Sequence, residues 1–292
     1  MTMRKPGRAA VAAVTAMAAA LSLSGCLSTV DPTDGGDPCW AMAEPSSSAA
    51  KATTGATHAI LIDRSGSTVA EDTADFVPDW ARSLRLRVPV GSGDRYLIAP
   101  FAGERFLSWP DQALVAPPIR GTATKQNELK QAVTDCIEHS VRETALKKGV
   151  SRRTDVLGAL HAAGEQLAAE RGGAKDIYVA TDGYASEGCA RLKIGRELSD
   201  DDITRIVDGC RAELPRNLRG VPVHIVGIGT SSSKMREASP AAIASVGRLW
   251  EALCRQMTET CSVRTGGTTD DAAGPSPQAA PRTSRPERER NT

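Results

Sequence analysis

His58-Ala-Ile-Leu-Ile-Asp-Arg-Ser-Gly-Ser-Thr68 opens as an unbroken apolar run and ends in a burst of oxygen-bearing side chains. Four apolar residues in succession, Ala59 to Ile62, read as a strand buried on both faces, which is the signature of a parallel sheet. Asp63 falls at its end, and Ser65 and Ser67 follow at alternate positions. Residues two apart on an extended segment point the same way, so both hydroxyls can face one point near the Asp63 carboxylate. A hydrogen-bonded turn accounts for some of these residues. A site for a hard cation accounts for Asp63, Ser65 and Ser67 together.

The rest of the chain alternates strands with amphipathic helices. Arg95-Tyr-Leu-Ile-Ala-Pro-Phe101, Asp176-Ile-Tyr-Val-Ala180 and Val221-Pro-Val-His-Ile-Val226 read as further strands, with Pro222 tolerable only near a strand start. Arg105 to Trp109 reads as a short hairpin partner returning from the second strand. Leu129, Val133, Cys136, Ile137 and Val141 form one apolar helix face, and Val156, Leu160, Ala163 and Leu167 form a second. Ile203, Ile206, Val207, Cys210 and Leu214 form a third, and Ile243, Val246, Trp250, Leu253 and Met257 a fourth. Asp75 to Leu86 carries a weaker helical signal, with Pro78 suited to a first turn. This alternation predicts an α/β fold of Rossmann-like type: a mostly parallel central sheet, helices on both faces and one short antiparallel edge strand.

The ends of the chain read differently. Arg4, Lys5 and Arg8 precede the apolar run Ala9 to Leu23, which is short for a membrane span and typical of a signal peptide. It ends in Leu23-Ser-Gly-Cys26, which resembles the lipobox of bacterial lipoproteins and implies that Cys26 carries lipid. The expected organisation is a signal peptide over 1–25, a lipidated Cys and flexible tether over 26–57, a folded domain over 58–264 and a disordered tail over 265–292. Such a chain is expected at the cell membrane, lipid-anchored and facing the extracytoplasmic side. Cleavage before Cys26 removes three basic residues and no acids, moving the formal net charge from +1 to −2. That balance offers nothing to nucleic acid.

Besides Cys26 there are six cysteines: Cys39, Cys136, Cys189, Cys210, Cys254 and Cys261. An even number in an exported chain points to disulfides, at least two of them, with the pairing open. Cys39-Trp40 is the place where the tether is expected to be pinned to the domain, and Cys189 with Cys210 is one candidate pair. There is no C-x-x-C, which argues against zinc or a redox motif.

Two further elements join the opening stretch. Thr181-Asp182-Gly183 follows the Asp176–Ala180 strand, and Thr154 opens the helix that begins near Val156, in the manner of an N-cap residue. Asp63-Arg-Ser-Gly-Ser67, Thr154 and Thr181-Asp182-Gly183 stand in the order and rough spacing of the von Willebrand factor type A (vWA) family, which the region from about Thr57 to Val263 resembles. The resemblance implies a metal-ion-dependent adhesion site. Ser65, Ser67 and Thr154 would offer hydroxyl oxygens to Mg²⁺ or Mn²⁺, and Asp63 and Asp182 would act directly or through waters. An all-oxygen set selects a hard cation independently of any family. The implied partner is a protein presenting an Asp or Glu that completes the metal shell, with no catalysis. Arg152 and Arg153, before Thr154, depart from the family pattern; they either attract an acidic ligand or point into solvent, the second being favoured, with Asp155 as a pairing partner.

Two other readings compete. One is a lipoprotein that keeps this scaffold but binds its partner away from any metal, with Gly183 to Ser199 as the candidate surface. The other is a metal-dependent hydrolase. A dehalogenase-type phosphatase would want an Asp where Ser65 stands, and no Gly-x-Ser-x-Gly surrounds Ser65. His58, His139, His161 and His224 stand in no triad context, and His58 and His224 read as packed strand residues. Gly227-Ile-Gly229 is too little for a nucleotide site and reads as a strand-to-helix turn.

Overall fold

The computed structural model describes residues 39, 42–45, 55–66, 68, 77–85, 87–103, 108–110, 112–146, 153–230 and 238–266. The expectations for the leader, Cys26, the tail, Ser67 and Arg152 lie outside the described residues.

The described strands form one sheet. They are β1 (Ala43–Pro45), β2 (Thr57–Asp63), β3 (Arg95–Phe101), β4 (Gln112–Val115), β5 (Lys175–Ala180), β6 (Val223–Ile228) and β7 (Cys261–Thr265), in the order β1-β4-β3-β2-β5-β6-β7. β2 sits at the centre and is buried along its whole length. It pairs in parallel with β3 and β5 in a register that sets Asp63 opposite Phe101 and Ile62 opposite Ala180. Only β4 runs against the others among the described strands.

Helices cover both faces, as the alternation of elements requires. They are α1 (Val77–Arg85), α2 (Ala123–Leu146), α3 (Val156–Ala169), α4 (Asp200–Cys210) and α5 (Pro240–Met257). Successive β2 side chains go to opposite cores. Ile60 and Ile62 pack with Trp80 and Leu84 of α1 and Val133, Ile137 and Val141 of α2. Ala59 and Leu61 pack with Leu160 of α3, Val207 of α4 and Trp250 of α5. Local chemistry agrees with the helix starts. Ser199 caps α4 in a reciprocal box with Asp202, and Ser239 caps α5 ahead of Pro240. Pro78 falls in the first turn of α1, where its missing N–H costs nothing.

Several details differ from the expectations. The segment read as tether contributes β1, which adds outside β4, and Cys39 is bonded to Cys136 of α2. A three-residue strand has no periodicity to detect. What holds it is its ladder to β4 and the disulfide, which closes a loop with a sequence separation of 97. Chain-entropy reasoning makes such a closure worth about 4–5 kcal/mol. The antiparallel partner of β3 among the described strands is β4, and residues 105–107 of the expected hairpin partner lie outside the described residues. Ser108 and Trp109 lie outside any strand, and β4 pairs only with the start of β3, at Arg95 and Tyr96. Trp109 packs against the α3–α5 core. β7 was not foreseen. It extends the sheet past β6 and is joined to α5 by Cys254–Cys261. The remaining pair is Cys189–Cys210, as anticipated. Gly227 lies inside β6, not in a turn after it; its φ of +89° leaves room for Trp80, which a Cβ would meet at 2.4 Å.

Candidate functional site

The carboxyl ends of β3, β2 and β5 lie side by side, and there the expected residues gather. Asp63 ends β2 and is fully buried. Its Oδ1 accepts the Ser65 backbone N–H at 2.8 Å, an Asx-type turn that fixes Ser65 next to the carboxylate. Its Oδ2 accepts the Thr181 hydroxyl at 2.6 Å, which ties the end of β2 to the end of β5. Ser65 is buried, and the Thr68 hydroxyl folds back to the Ser65 carbonyl at 2.9 Å and the Asp63 carbonyl at 3.1 Å. Thr68 therefore closes the turn it belongs to.

Asp182 is likewise fully buried, and its Oδ1 accepts the Tyr184 N–H at 2.9 Å. The Asp182 carbonyl accepts Gly229 N–H at 3.0 Å, which clamps the turn to the end of β6. Gly183 follows with a φ of +82°, and its carbonyl accepts the Trp250 indole N–H at 2.8 Å. An added Cβ at Gly183 would sit 2.6 Å from Ile228 Cδ1 and 3.0 Å from Trp250 Nε1. Gly183→Ala is expected to destabilise the domain by about 2 kcal/mol or more, through left-handed backbone strain and overpacking together. A urea titration of the purified domain measures this; an unchanged midpoint would mean that the turn relaxes freely.

Thr154 is buried between β3 and the segment after β5. Its N–H donates to Ser186 Oγ at 2.8 Å, and its carbonyl accepts the N–H groups of Ser186 and Glu187 at 3.0 and 3.1 Å. The next residue, Asp155, donates its N–H to Ala102 O at the end of β3. The helix cap is Asp155, not Thr154: its carboxylate accepts Gly158 N–H at 2.8 Å. This leaves Thr154 one residue outside the helix, with its main chain committed to the 186–187 segment. Arg153, 71% exposed, reaches Glu187 at 2.9 Å rather than Asp155, and Arg152, the other expected partner of Asp155, lies outside the described residues. Arg153 thus lies at the surface.

The structure therefore brings Asp63, Ser65, Thr154 and Asp182 to one edge of the sheet, and Ser67 is outside the described residues. Thr181, Ser186 and Trp250 support the site and were not singled out for it. Thr181 carried a signal, since it sits one residue before Asp182 at a strand end. Ser186 and Trp250 carried none, because their contacts are made across 32 and 67 residues.

The donor set fits a hard cation. No cluster of three or more His, Cys, Asp or Glu suited to a metal occurs among the described residues, and the expected set contains only two carboxylates, Asp63 and Asp182. Burial pushes the Asp63 carboxyl up to about 6, against the hydrogen bonds from Thr181 and Ser65, and no cationic side chain pairs with it among the described residues. An ionised carboxylate that far from water is costly unless paired or coordinated to a metal. Arg64, one residue past the strand, is also buried, and its backbone N–H donates to Phe101 O at 2.8 Å.

No family model matches the chain, and no curated protein matches it. Among solved structures it is similar to BatB from Bacteroides thetaiotaomicron, at 16% identity over 73% of this chain and 92% of that one, with a TM-score of 0.36. It is similar to a von Willebrand factor type A protein from Catenulispora acidiphila, at 15% identity over 70% and 43%, with a TM-score of 0.30. It is also similar to the manganese-loaded TRAP protein of Plasmodium vivax, at 12% identity over 67% and 63%, with a TM-score of 0.31. At this level of likeness, what those proteins bind says nothing of this chain.

Proposed function

We propose that the domain is a protein-binding module of the vWA type whose partner docks through a divalent metal. Asp63, Ser65, Ser67, Thr154 and Asp182 would hold Mg²⁺ or Mn²⁺, directly or through waters. The observation that carries this reading is Asp63: a fully buried carboxylate, raised to about 6, hydrogen-bonded to neutral donors, beside a second buried carboxylate and two buried hydroxyl residues. A bound dication would supply the missing counter-charge. With three of its five side-chain groups neutral, the ion keeps enough charge to accept an Asp or Glu from a partner. This is binding chemistry, and no reaction is assigned.

The domain would be exported and held to the membrane through lipid on Cys26. Three disulfides among the described residues support an oxidising compartment. The test is affinity capture from the organism's envelope fraction, in Mg²⁺ and in EDTA, with wild type and Asp182→Ala. The expected partner is retained only by wild type in Mg²⁺. A partner retained equally in all arms would point to metal-independent docking.

A further inference from the structure

The segment that leaves the site at Gly183 and enters α4 at Ser199 has no regular secondary structure, yet it is seated firmly. Ala185, Ala190 and Leu198 are buried beneath it. Leu192 N–H donates to Ala185 O at 2.8 Å, and Leu198 N–H donates to Ser245 Oγ at 3.0 Å. Cys189 is bonded to Cys210 at the end of α4, and its N–H donates to Glu213 at 3.1 Å. Ser186 and Glu187 hold Thr154, so the segment forms one wall of the site.

At the apex of this anchored segment Ile194 is 50% exposed. Leu146, at the end of α2, is the only other exposed large hydrophobic among the described residues. An aliphatic side chain at such a place normally gains from burial, and here its backbone is already ordered by a disulfide and by hydrogen bonds on both sides. In the sequence around it Arg191, Lys193 and Arg196 are basic and Glu197 is acidic. Arg196 pairs with Asp202, and Arg153 with Glu187. Arg191 uses its Nε to hold Gly188 O at 3.1 Å, and neither Arg191 nor Lys193 has an acidic partner among the described residues. Glu197 is the one exposed acid within the segment.

We propose that this segment selects the partner: Arg191, Lys193 and Ile194 form a rigid rim that receives an acidic stretch carrying an aliphatic side chain. The inference rests on the metal-dependent reading above only for where the partner's coordinating carboxylate goes. Charge complementarity favours further acids flanking that carboxylate, and Ile194 favours one apolar residue among them. Because the rim is already ordered by its disulfide and main-chain bonds, docking forfeits little conformational entropy.

The test is selection from a random peptide display library on the intact protein, in Mg²⁺ and in EDTA, with wild type, the double variant Arg191→Glu/Lys193→Glu, and Ile194→Ser. These side chains are exposed, and unchanged melting confirms that each variant is folded. Wild type in Mg²⁺ is expected to enrich peptides with two or more acids and one aliphatic residue by at least about tenfold over the input. The double variant should lose the preference for flanking acids yet still capture single-acid peptides in Mg²⁺. Ile194→Ser should lose the aliphatic preference. Identical peptides on wild type and the double variant, or no acidic enrichment on wild type, would overturn the rim. Rim-dependent capture that persists in EDTA would keep the rim and overturn the metal reading; Mg²⁺-dependent capture indifferent to the rim would do the reverse.

Discussion

Asp63→Ala is expected to weaken Mg²⁺ binding by more than about 100-fold in calorimetry, while the metal-free domain melts at or close to the wild-type temperature. Losing even an indirect partner of a metal ligand costs roughly 10–100-fold in affinity, and in the proposed site Asp63 stands at least that close to the ion, directly or through water. The effect on folding is small because two changes oppose each other. The variant loses the hydrogen bonds from Ser65 N–H and the Thr181 hydroxyl, each worth about 1 kcal/mol. It also removes a fully buried carboxylate that burial makes hard to ionise. If Asp63 holds Mg²⁺ as proposed, the same property makes the affinity depend on pH. The ligand must be deprotonated, so affinity should fall by up to about tenfold per unit as the pH drops below the Asp63 value of about 6. Unchanged Mg²⁺ affinity in the variant would remove Asp63 from the metal shell. A collapse of the metal-free fold would show that its bonds to Ser65 and Thr181 matter more than its charge.

Much of this arrangement is legible along the chain, and what is not has common physical causes. β2 and β3 are continuous apolar runs, and runs of that length are buried strands almost wherever they occur. The four clear helix faces each supply packed residues to one of the two cores. Asp63, Ser65 and Asp182 are readable because each lies at a strand end or in the turn that follows it, where parallel sheets expose function. β1, β4 and β7 are short edge or near-edge strands, defined by pairing with distant partners rather than by pattern. The cap of α3 was misplaced by one residue because Thr154 and Asp155 are both good capping types; the choice is made by Ser186 and Glu187, which take the Thr154 main chain. His58 shows the same limit most clearly. Its burial in a strand is evident from its neighbours, but its partners lie 36 and 118 residues away.

Those partners make His58→Ala the substitution with the largest expected cost to stability, about 3–5 kcal/mol near pH 6. His58, at the start of β2, is 1% exposed and stands between two carboxylates. Its Nδ1 lies 2.5 Å from Asp176 Oδ1, and its Nε2 lies 3.4 Å from Asp94 Oδ2. The ring stacks on Tyr96 at 4.9 Å, and Tyr178, which donates to the other Asp176 oxygen, lies 6.3 Å away. Burial by itself lowers the imidazole pKa, but the hydrogen bonds and charges of Asp176 and Asp94 outweigh it, and the net shift is upward from 6.5. His224, stacked on the far side of Tyr178, is shifted down by burial and by the nearby Arg87, so of the two imidazoles His58 is the one favoured in its charged form. Truncating His58 leaves Asp94 and Asp176 facing each other in a poorly solvated space. The sign of the pH dependence follows from the upward shift. The native state keeps a proton that the unfolded chain begins to release near 6.5, so the His58 contribution is complete below that pH and fades as the pH rises through the raised value. Asp63 adds a slope of the same sign at lower pH, and the wild-type-minus-variant difference cancels it. Denaturant melts at pH 5.5, 7 and 8.5 in EDTA should therefore show the widest gap between wild type and His58→Ala at the lowest pH and a narrowing gap above neutrality. A gap of constant size would mean that His58 packs here as a neutral ring, with Asp94 held by the Ala56 and Gly91 N–H groups and Asp176 by the Tyr178 hydroxyl.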